Sequence, residues 1–518
     1  MKAKKILLLI MSLLISSCNN QSNNEEKNIV ASKIIVNENK RYLEVDNKPF
    51  IYNGIQIRVD WLMDVNKESI EDIEYYFKKA SELNVKVVEI PLQWKDIEIS
   101  EGAYNFRNLS KMLTYANKYN LKVELLLFTT NIGGMSGCAP KYIKENKELY
   151  PQYENSLNHK DALFFVQDNE NILKKEGEMV EALMNSIYSF SKSTNTTPVI
   201  AIQVKNEPDL YLKRIKENNV SLNGEILSDE YAIKETLAAI DYIAKIIKRS
   251  KYKIITRINL CCFIEHNELN YRLWDEILSL KSIDVVGEDT YNPAISFNKN
   301  IILDMQEKLY SKYNTIAQIA ENTGHYINNP SLILTSNILG ASYLMYDLIT
   351  PKTITDEWNY YDWGILDNKT LEGKEAFNLT KTMLNGINLA NSLLITTKSD
   401  DIAGFNIKDN EPLKEISQTI NTSKTSYTFT TKNKAIGYAI NHNDEIYLYA
   451  TNEASITIND NTLDETYYDG YVLDDNSFNI NNTYILTNNT INLKKDTLYK
   501  LKVIKTNTNK SNTFNFLN

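Results

Sequence analysis

Between residues 48 and 395 the chain alternates eight short, almost uninterrupted apolar runs with longer amphipathic stretches, and this rhythm restricts its fold more than any other feature. The runs are Phe50–Ile57, Val85–Leu92, Leu121–Phe128, Val199–Val204, Lys253–Leu260, Ile283–Val286, Thr315–Ala320 and Leu339–Tyr346. Segments with helical periodicity lie between them, at 66–83, 107–120, 170–193, 234–250 and 373–393. Strands that are apolar on both faces and separated by helices describe a parallel sheet covered on both sides. Eight repeats favour closure into a barrel over an open doubly wound sheet. No glycine-rich loop follows the first run, which speaks against a nucleotide site. The fold class read here is α/β: a (β/α)8 TIM barrel over 41–397, followed by an all-β, sandwich-like domain over 398–518. The second part rests on short alternating segments such as Ile446–Tyr449, Ala454–Ile458, Ile491–Leu493 and Tyr499–Ile504, set between Asn, Asp, Thr and Lys clusters.

The first residues carry an address. Lys2, Lys4 and Lys5 precede the apolar stretch Ile6–Ile15, too short to span a bilayer as a mature helix, and Ser16-Ser17-Cys18 closes it. Residues 1–17 read as a lipoprotein signal peptide, with Cys18 as the acylated residue in a sequence that resembles a bacterial lipobox. Residues 18–40 read as a flexible tether, chiefly because 19–30 is polar and Asn-rich. The expected location is a membrane-anchored lipoprotein, periplasmic or at the cell surface.

Charge narrows the partners. The formal net charge is −9, and removing the three signal lysines makes the mature chain more acidic. An acidic chain without a basic run does not suit nucleic acid. The sequence leaves the oligomeric state open. Four cysteines, two of them adjacent at Cys261 and Cys262, form no disulfide framework, and the four histidines show no metal-ligand spacing, so neither a metal nor a cofactor is expected.

Chemistry concentrates where strands end. Reactive groups of parallel barrels gather at the C-terminal ends of the strands. The fourth run stops at Lys205-Asn206-Glu207-Pro208, and the seventh leads into Glu321. Cleaving a glycosidic bond takes one carboxylic acid to protonate the departing oxygen and a second carboxylate to attack the anomeric carbon. Glu207 and Glu321 form such a pair, with Glu288 and Glu307 as alternatives to the second.

With these residues in place, the chain resembles clan A glycoside hydrolases, and within them family 35 β-galactosidases. Tyr42-Leu-Glu-Val-Asp-Asn-Lys-Pro-Phe50 is similar to the strand pair that precedes their barrel. Trp94-Lys-Asp-Ile-Glu98 with Glu101-Gly102-Ala-Tyr104-Asn-Phe106 is similar to a motif after their second strand, and Cys138-Ala-Pro-Lys-Tyr142 to one after their third. Gln203-Val-Lys-Asn206-Glu207 resembles their acid/base segment, and Ile283 to Tyr291 their sixth strand end. The resemblance implies Glu207 as acid/base, Glu321 as nucleophile, Asn206 on the neighbouring sugar hydroxyl and Tyr291 on the nucleophile. Trp94, Gln56 at the end of the first strand and Asn131 after the third are candidate substrate contacts. The first and third strand ends depart from the family pattern, so the galactose specificity does not carry over with the machinery. The function implied is a retaining, exo-acting, β-galactosidase-like glycosidase with a carbohydrate substrate. The alternatives are an endo-acting clan A β-glycanase and a non-catalytic glycan-binding lipoprotein.

Overall fold

The computed structural model describes residues 27–36, 41–132, 135–136, 138–153, 164–217, 220–261, 268–289, 316–323, 329–407, 414–459, 461–473 and 476–506. Eight parallel strands pair into a closed barrel. In chain order they are Asn53–Gln56, Val87–Gln93, Lys122–Phe128, Val199–Asn206, Ile255–Leu260, Val285–Asp289, Ile316–Thr323 and Ser342–Tyr346. Each pairs with its neighbours in sequence, and the eighth returns to the first through Tyr343 opposite Asn53. Helices cover the outside, among them Ile73–Glu82, Arg107–Lys118, Glu170–Thr194, Asp229–Arg249, Glu268–Ser279, Asn329–Ile338 and Glu375–Leu389. The connection between the sixth and seventh strands, 290–315, lies outside the described residues.

Local sequence explains the helix ends. Asn169 caps the helix Glu170–Thr194 by accepting from the backbone N–H groups of Asn171 and Ile172, and Asn195 closes it in the left-handed region with φ 53°. Ser228 caps Asp229–Arg249 in the same manner, with acids in the first turn and bases in the last.

The tether expected over 18–40 is shorter than that. Ile29–Val30 pairs in parallel with Tyr252–Lys253, and Ser32–Val36 pairs with Arg41–Val45. The polar composition of 19–28 gives way at Ile29 to an apolar run, and Ala31 is fully buried. Ser32 donates to the Ile200 carbonyl at the start of the fourth barrel strand. The three-stranded sheet made by Ser32–Val36, Arg41–Val45 and Lys48–Phe50 packs Leu43 and Val45, with Tyr52 just after it, against Val87, Ile200, Ile255 and Val285. These last four stand at or near the first residues of their strands, so the sheet plugs the N-terminal end of the barrel. Only the opposite mouth is left for chemistry.

After the helix Asn391–Thr396 the chain turns wholly antiparallel. A six-stranded and a four-stranded sheet face each other over a shared core that includes Phe405, Phe429, Ile456, Leu448 and Leu501. This β region is docked on the barrel. Tyr438 donates to the Gly386 carbonyl at 2.6 Å, and Tyr449 donates to that of Thr382 at 2.6 Å. Among the described residues no helix is long and apolar enough to cross a membrane.

The barrel interior is polar and charged. Arg257, fully buried on the fifth strand, donates to Glu89 at 2.9 Å and to Glu124 at 2.8 Å, and both carboxylates are themselves fully buried. Gln56 donates to Glu89, and Tyr52 donates to Glu124. Two carboxylates share one guanidinium, and burial, against the pull of Arg257, pushes the Glu89 carboxyl up to about 7. Burial does the same to Glu235, held by Tyr153, Tyr211 and the Gln167 N–H, and to Asp347, held by Thr350, each reaching about 7.

A pH dependence of stability follows. These carboxyls keep a proton in the fold over a range where the unfolded chain, titrating near 4, has lost it. Their folded pKa is raised, so the contribution is complete below about 4 and is lost as pH climbs toward 7, by at most about 4 kcal/mol for each group. Thermal unfolding followed from pH 4.5 to 7.5 is expected to show a falling midpoint. Asp347→Asn, which keeps an acceptor for Thr350, flattens that fall. A midpoint that rises across this window in both proteins would refute the assignment.

Candidate active site

The fourth strand loses its regular register with the fifth between Gln203 and Asn206. An irregularity of this kind re-aims the residues at the end of a strand. Here they are Asn206 and Glu207, both half-buried at the C-terminal mouth. Glu207 adopts φ 45°, in the left-handed region that costs a non-glycine residue about 1 kcal/mol or more. What holds it there is Asn259 of the fifth strand, whose Oδ1 accepts from the Glu207 backbone N–H at 3.2 Å. The same Oδ1 accepts from Gln203, which also accepts from Arg257. Asn206 donates to the Glu207 carboxylate at 3.1 Å and accepts from Gln203 at 2.8 Å. Glu207 is thus fixed by a run of buried polar side chains reaching down to the Arg257 centre.

Asn259 also donates to both oxygens of Asp289, at 3.1 and 2.9 Å. Asp289 ends the sixth strand and is buried. Its carboxylate, that of Glu207 and the Cys261 thiol lie within 4.8 Å of one another. These three are, among the described residues, the group best placed to hold a cation. Asn259 already occupies both Asp289 oxygens, so a cation there would compete with two hydrogen bonds. Cys261 is positioned from outside the barrel, where its backbone N–H reaches both oxygens of the buried Asp209 at 3.0 Å. In parallel register, Asp289 stands opposite Glu321 on the seventh strand. The backbone of Glu321 is therefore one strand spacing from that of Asp289, whose carboxylate lies near Glu207.

The wall after the third strand is set by a second buried ion pair. Lys205 reaches Glu176 at 2.8 Å and Thr129 at 2.9 Å, and Glu176 also accepts from the Thr130 N–H at 3.1 Å. Burial pushes the Glu176 carboxyl up, but Lys205 and the threonine hydroxyls outweigh it and hold it below its ordinary value. Close to this wall, Arg58 follows the first strand and lies 5.9 Å from the Phe128 ring. It gives two hydrogen bonds to Asp60, at 2.9 and 2.7 Å, and one to the Tyr346 hydroxyl at 3.1 Å.

Comparisons with known proteins leave the family open. Residues 235–412 match a family described as Domain of unknown function (DUF4978), which spans the fifth to eighth strands but stops short of Glu207. No curated protein sequence matches the chain. Among solved structures, an exo-β-1,4-mannosidase from an Opitutaceae bacterium aligns at TM-score 0.48 and 11% identity, over 67% of this chain and 61% of that one. An endo-1,4-β-mannanase from Rhizomucor miehei aligns at 0.47 and 15%, over 68% of this chain and 98% of that one. A β-galactosidase from a psychrophilic Marinomonas aligns at 0.48 and 11%, over 67% and 62%. The aligned part is under two thirds of the mannosidase and of the galactosidase.

The sequence-predicted contacts divide sharply. Asn206 and Glu207 meet at the mouth, and Glu321 lies in the seventh strand. Trp94 is not a sugar platform: it is fully buried, with its indole N–H donated to Glu98 at 2.6 Å. Glu98 in turn accepts from the Gly102 N–H and the Tyr142 hydroxyl, so the motif Trp94 to Gly102 folds a surface loop onto the barrel. Gln56 is likewise no substrate contact, because it is buried in the barrel interior and its amide is given to Glu89. Asn131 stands in a small hairpin with Ser136. Tyr291 and Cys18 lie outside the described residues. Asn259, Asp289 and Cys261 were not singled out by the sequence reading. Cys261 and Asp289 follow apolar runs, which is the signal that could have found them, whereas Asn259 lies inside one.

Proposed function

We propose that the chain is a retaining β-glycosidase of the clan A kind, exo-acting and β-galactosidase-like, built on an eightfold β/α repeat. Glu207 is its acid/base and Glu321 its nucleophile. The observation that carries this reading is the clamped, left-handed Glu207 at the mouth of the barrel, with a strand-end carboxylate facing it and Glu321 in register beside that carboxylate. Glu321 attacks the anomeric carbon while Glu207 gives its proton to the departing oxygen. Glu207 then takes a proton from the water that breaks the glycosyl–enzyme ester. In this reading Asn206, which hydrogen-bonds Glu207 and Gln203, meets the hydroxyl next to the anomeric carbon, and Tyr291 donates to the nucleophile.

A panel of aryl β-glycosides, galactoside first, tests the reading. Glu207→Ala is expected to slow substrates with poor leaving groups by about 10²–10⁴-fold and to spare those whose aryl group leaves without protonation. Equal loss for both kinds would remove Glu207 from the acid role. Asp289 supports a second reading, since it is the described carboxylate that faces Glu207. Under that reading azide would rescue Asp289→Gly and leave Glu321→Gly inert.

The amino terminus adds a location to the proposal. Acylation of Cys18 ties the enzyme to a membrane leaflet through a tether that ends by Ile29, where the chain joins the barrel. Several acyl chains give stable attachment where one does not. Metabolic labelling with an alkynyl fatty acid is expected to mark the wild type, and Cys18→Ala is expected to move the enzyme to the soluble fraction. An unlabelled, membrane-bound wild type would contradict this.

A further inference from the structure

The rim of the mouth between the first and eighth strands carries aromatic rings that the cleavage chemistry does not use. Of the chain's five tryptophans, Trp94 and Trp274 are fully buried, while Trp61 and Trp358 meet on this rim and Trp363 follows Trp358 by five residues. Trp61 opens the helix just after the first strand. It makes edge contacts with Trp358 at 6.1 Å and with Tyr360 at 5.3 Å between ring centres. Tyr361 leans on Trp363 at 4.6 Å. Trp358 is 56% exposed and Tyr361 61%, in a segment where three large aromatics within four residues reach solvent. Rings of this size left in water in one place mark a surface that binds something.

The neighbouring charge selects what that is. The Arg58 guanidinium sits over Trp61 at 3.5 Å, with all three of its nitrogens hydrogen-bonded to Asp60 or Tyr346. Asp60 cancels its charge, so the cation beside the rings carries no net attraction for an anion. What remains is apolar ring faces edged by hydroxyls, with the Tyr346 and Tyr360 oxygens 3.2 Å apart. A pyranose has the matching surface: an apolar face of axial C–H bonds, ringed by equatorial hydroxyls. The rim is continuous with the mouth, because Arg58 and Tyr346 stand at the ends of the first and eighth strands and Arg58 also lies 5.9 Å from Phe128 at the end of the third.

We infer that Trp358, with Trp61 and Tyr360, forms a subsite for an uncharged sugar unit beyond the one that is cleaved, so that the substrate is a neutral oligosaccharide or polysaccharide and not a lone glycoside. This rests on the glycosidase reading, and the test keeps the two apart. The full chain bearing Glu207→Gln is titrated with cellohexaose, mannohexaose, xylohexaose and β-1,4-galactohexaose, with tryptophan fluorescence as the readout. At least one is expected to bind, Trp358→Ala in the same background to weaken it by about tenfold or more, and Trp358→Phe to recover most of the loss. Absence of binding to all four, or binding that Trp358→Ala does not weaken, overturns the subsite. Stronger binding of a uronic-acid hexamer than of any neutral one overturns its neutrality. Hydrolysis of the aryl monoglycosides reports on Glu207 and Glu321 whichever of these results is found.

Discussion

With Glu321 as the proposed nucleophile, Glu321→Gly is expected to abolish turnover of whichever aryl β-glycoside is accepted, lowering kcat by about 10⁴-fold or more, and molar azide is expected to restore it as a glycosyl azide of inverted configuration. The magnitude follows from the role: a nucleophile that forms the covalent intermediate has no partial substitute in the site. Removing the side chain leaves a space beside the anomeric carbon that a small anion can enter, and Glu207 still stands ready to protonate the leaving group. Kinetics with and without azide, and the configuration of the product, check this. Rescue of Asp289→Gly in place of Glu321→Gly would exchange the roles of the two neighbouring residues, which stand opposite each other in the strand register.

The second large effect is on stability. Arg257 stands between two fully buried carboxylates and also donates to Gln203, which supports Asn206 and Asn259. Arg257→Met removes the one cation from that centre. Breaking a buried ion pair from one side costs about 3–5 kcal/mol, because the remaining charge is left unpaired in a medium that solvates it poorly. Denaturant unfolding at pH 8 is expected to show a loss of that size. The loss is expected to be smaller at pH 5, below the raised pKa of Glu89, where that carboxyl holds a proton. Arg257→Lys restores only part, since a single ammonium cannot match the fork of a guanidinium. Activity falls further than stability accounts for, because Gln203 loses the partner that orients it. Stability unchanged in Arg257→Met would mean that the pairs with Glu89 and Glu124 contribute nothing net and that the centre does not organise the site.

The barrel was largely legible in the sequence because its signal is local. Each of the eight apolar runs overlaps an observed barrel strand, and the helix Glu170–Thr194 fits the 170–193 periodicity to within a residue. Glu207 was legible for the same reason, as a polar pair that ends an apolar strand. Residues whose role depends on contacts across the barrel were not. Asn259, deep in an apolar stretch, reads as an ordinary strand residue until the fold brings it to Glu207 and Asp289. No sequence spacing predicts that Glu207, Cys261 and Asp289 converge. Trp94 misled because an aromatic next to a motif looks alike whether it faces a sugar or, as here, fills the core and anchors a loop through Glu98. Ile29 to Val36 misled because flanking polar residues hid a short apolar segment that needed the barrel's lower end to pair with. In the β region the long strand Asn461–Val472, rich in Asp, Thr and Tyr, has too little apolar alternation to be read without its neighbours.

The most direct test of the account is to trap the covalent intermediate. A 2-deoxy-2-fluoro glycoside with a good leaving group, matched to the aryl substrate that is turned over, slows hydrolysis of the glycosyl–enzyme more than its formation. Mass spectrometry of the protease-digested enzyme should then find one fluorosugar, attached to the peptide that carries Glu321, and none in Glu321→Gly. A fluorosugar on Asp289, or time-dependent turnover with no covalent adduct and an inverted product, would contradict the assignment of Glu207 and Glu321 as a retaining pair.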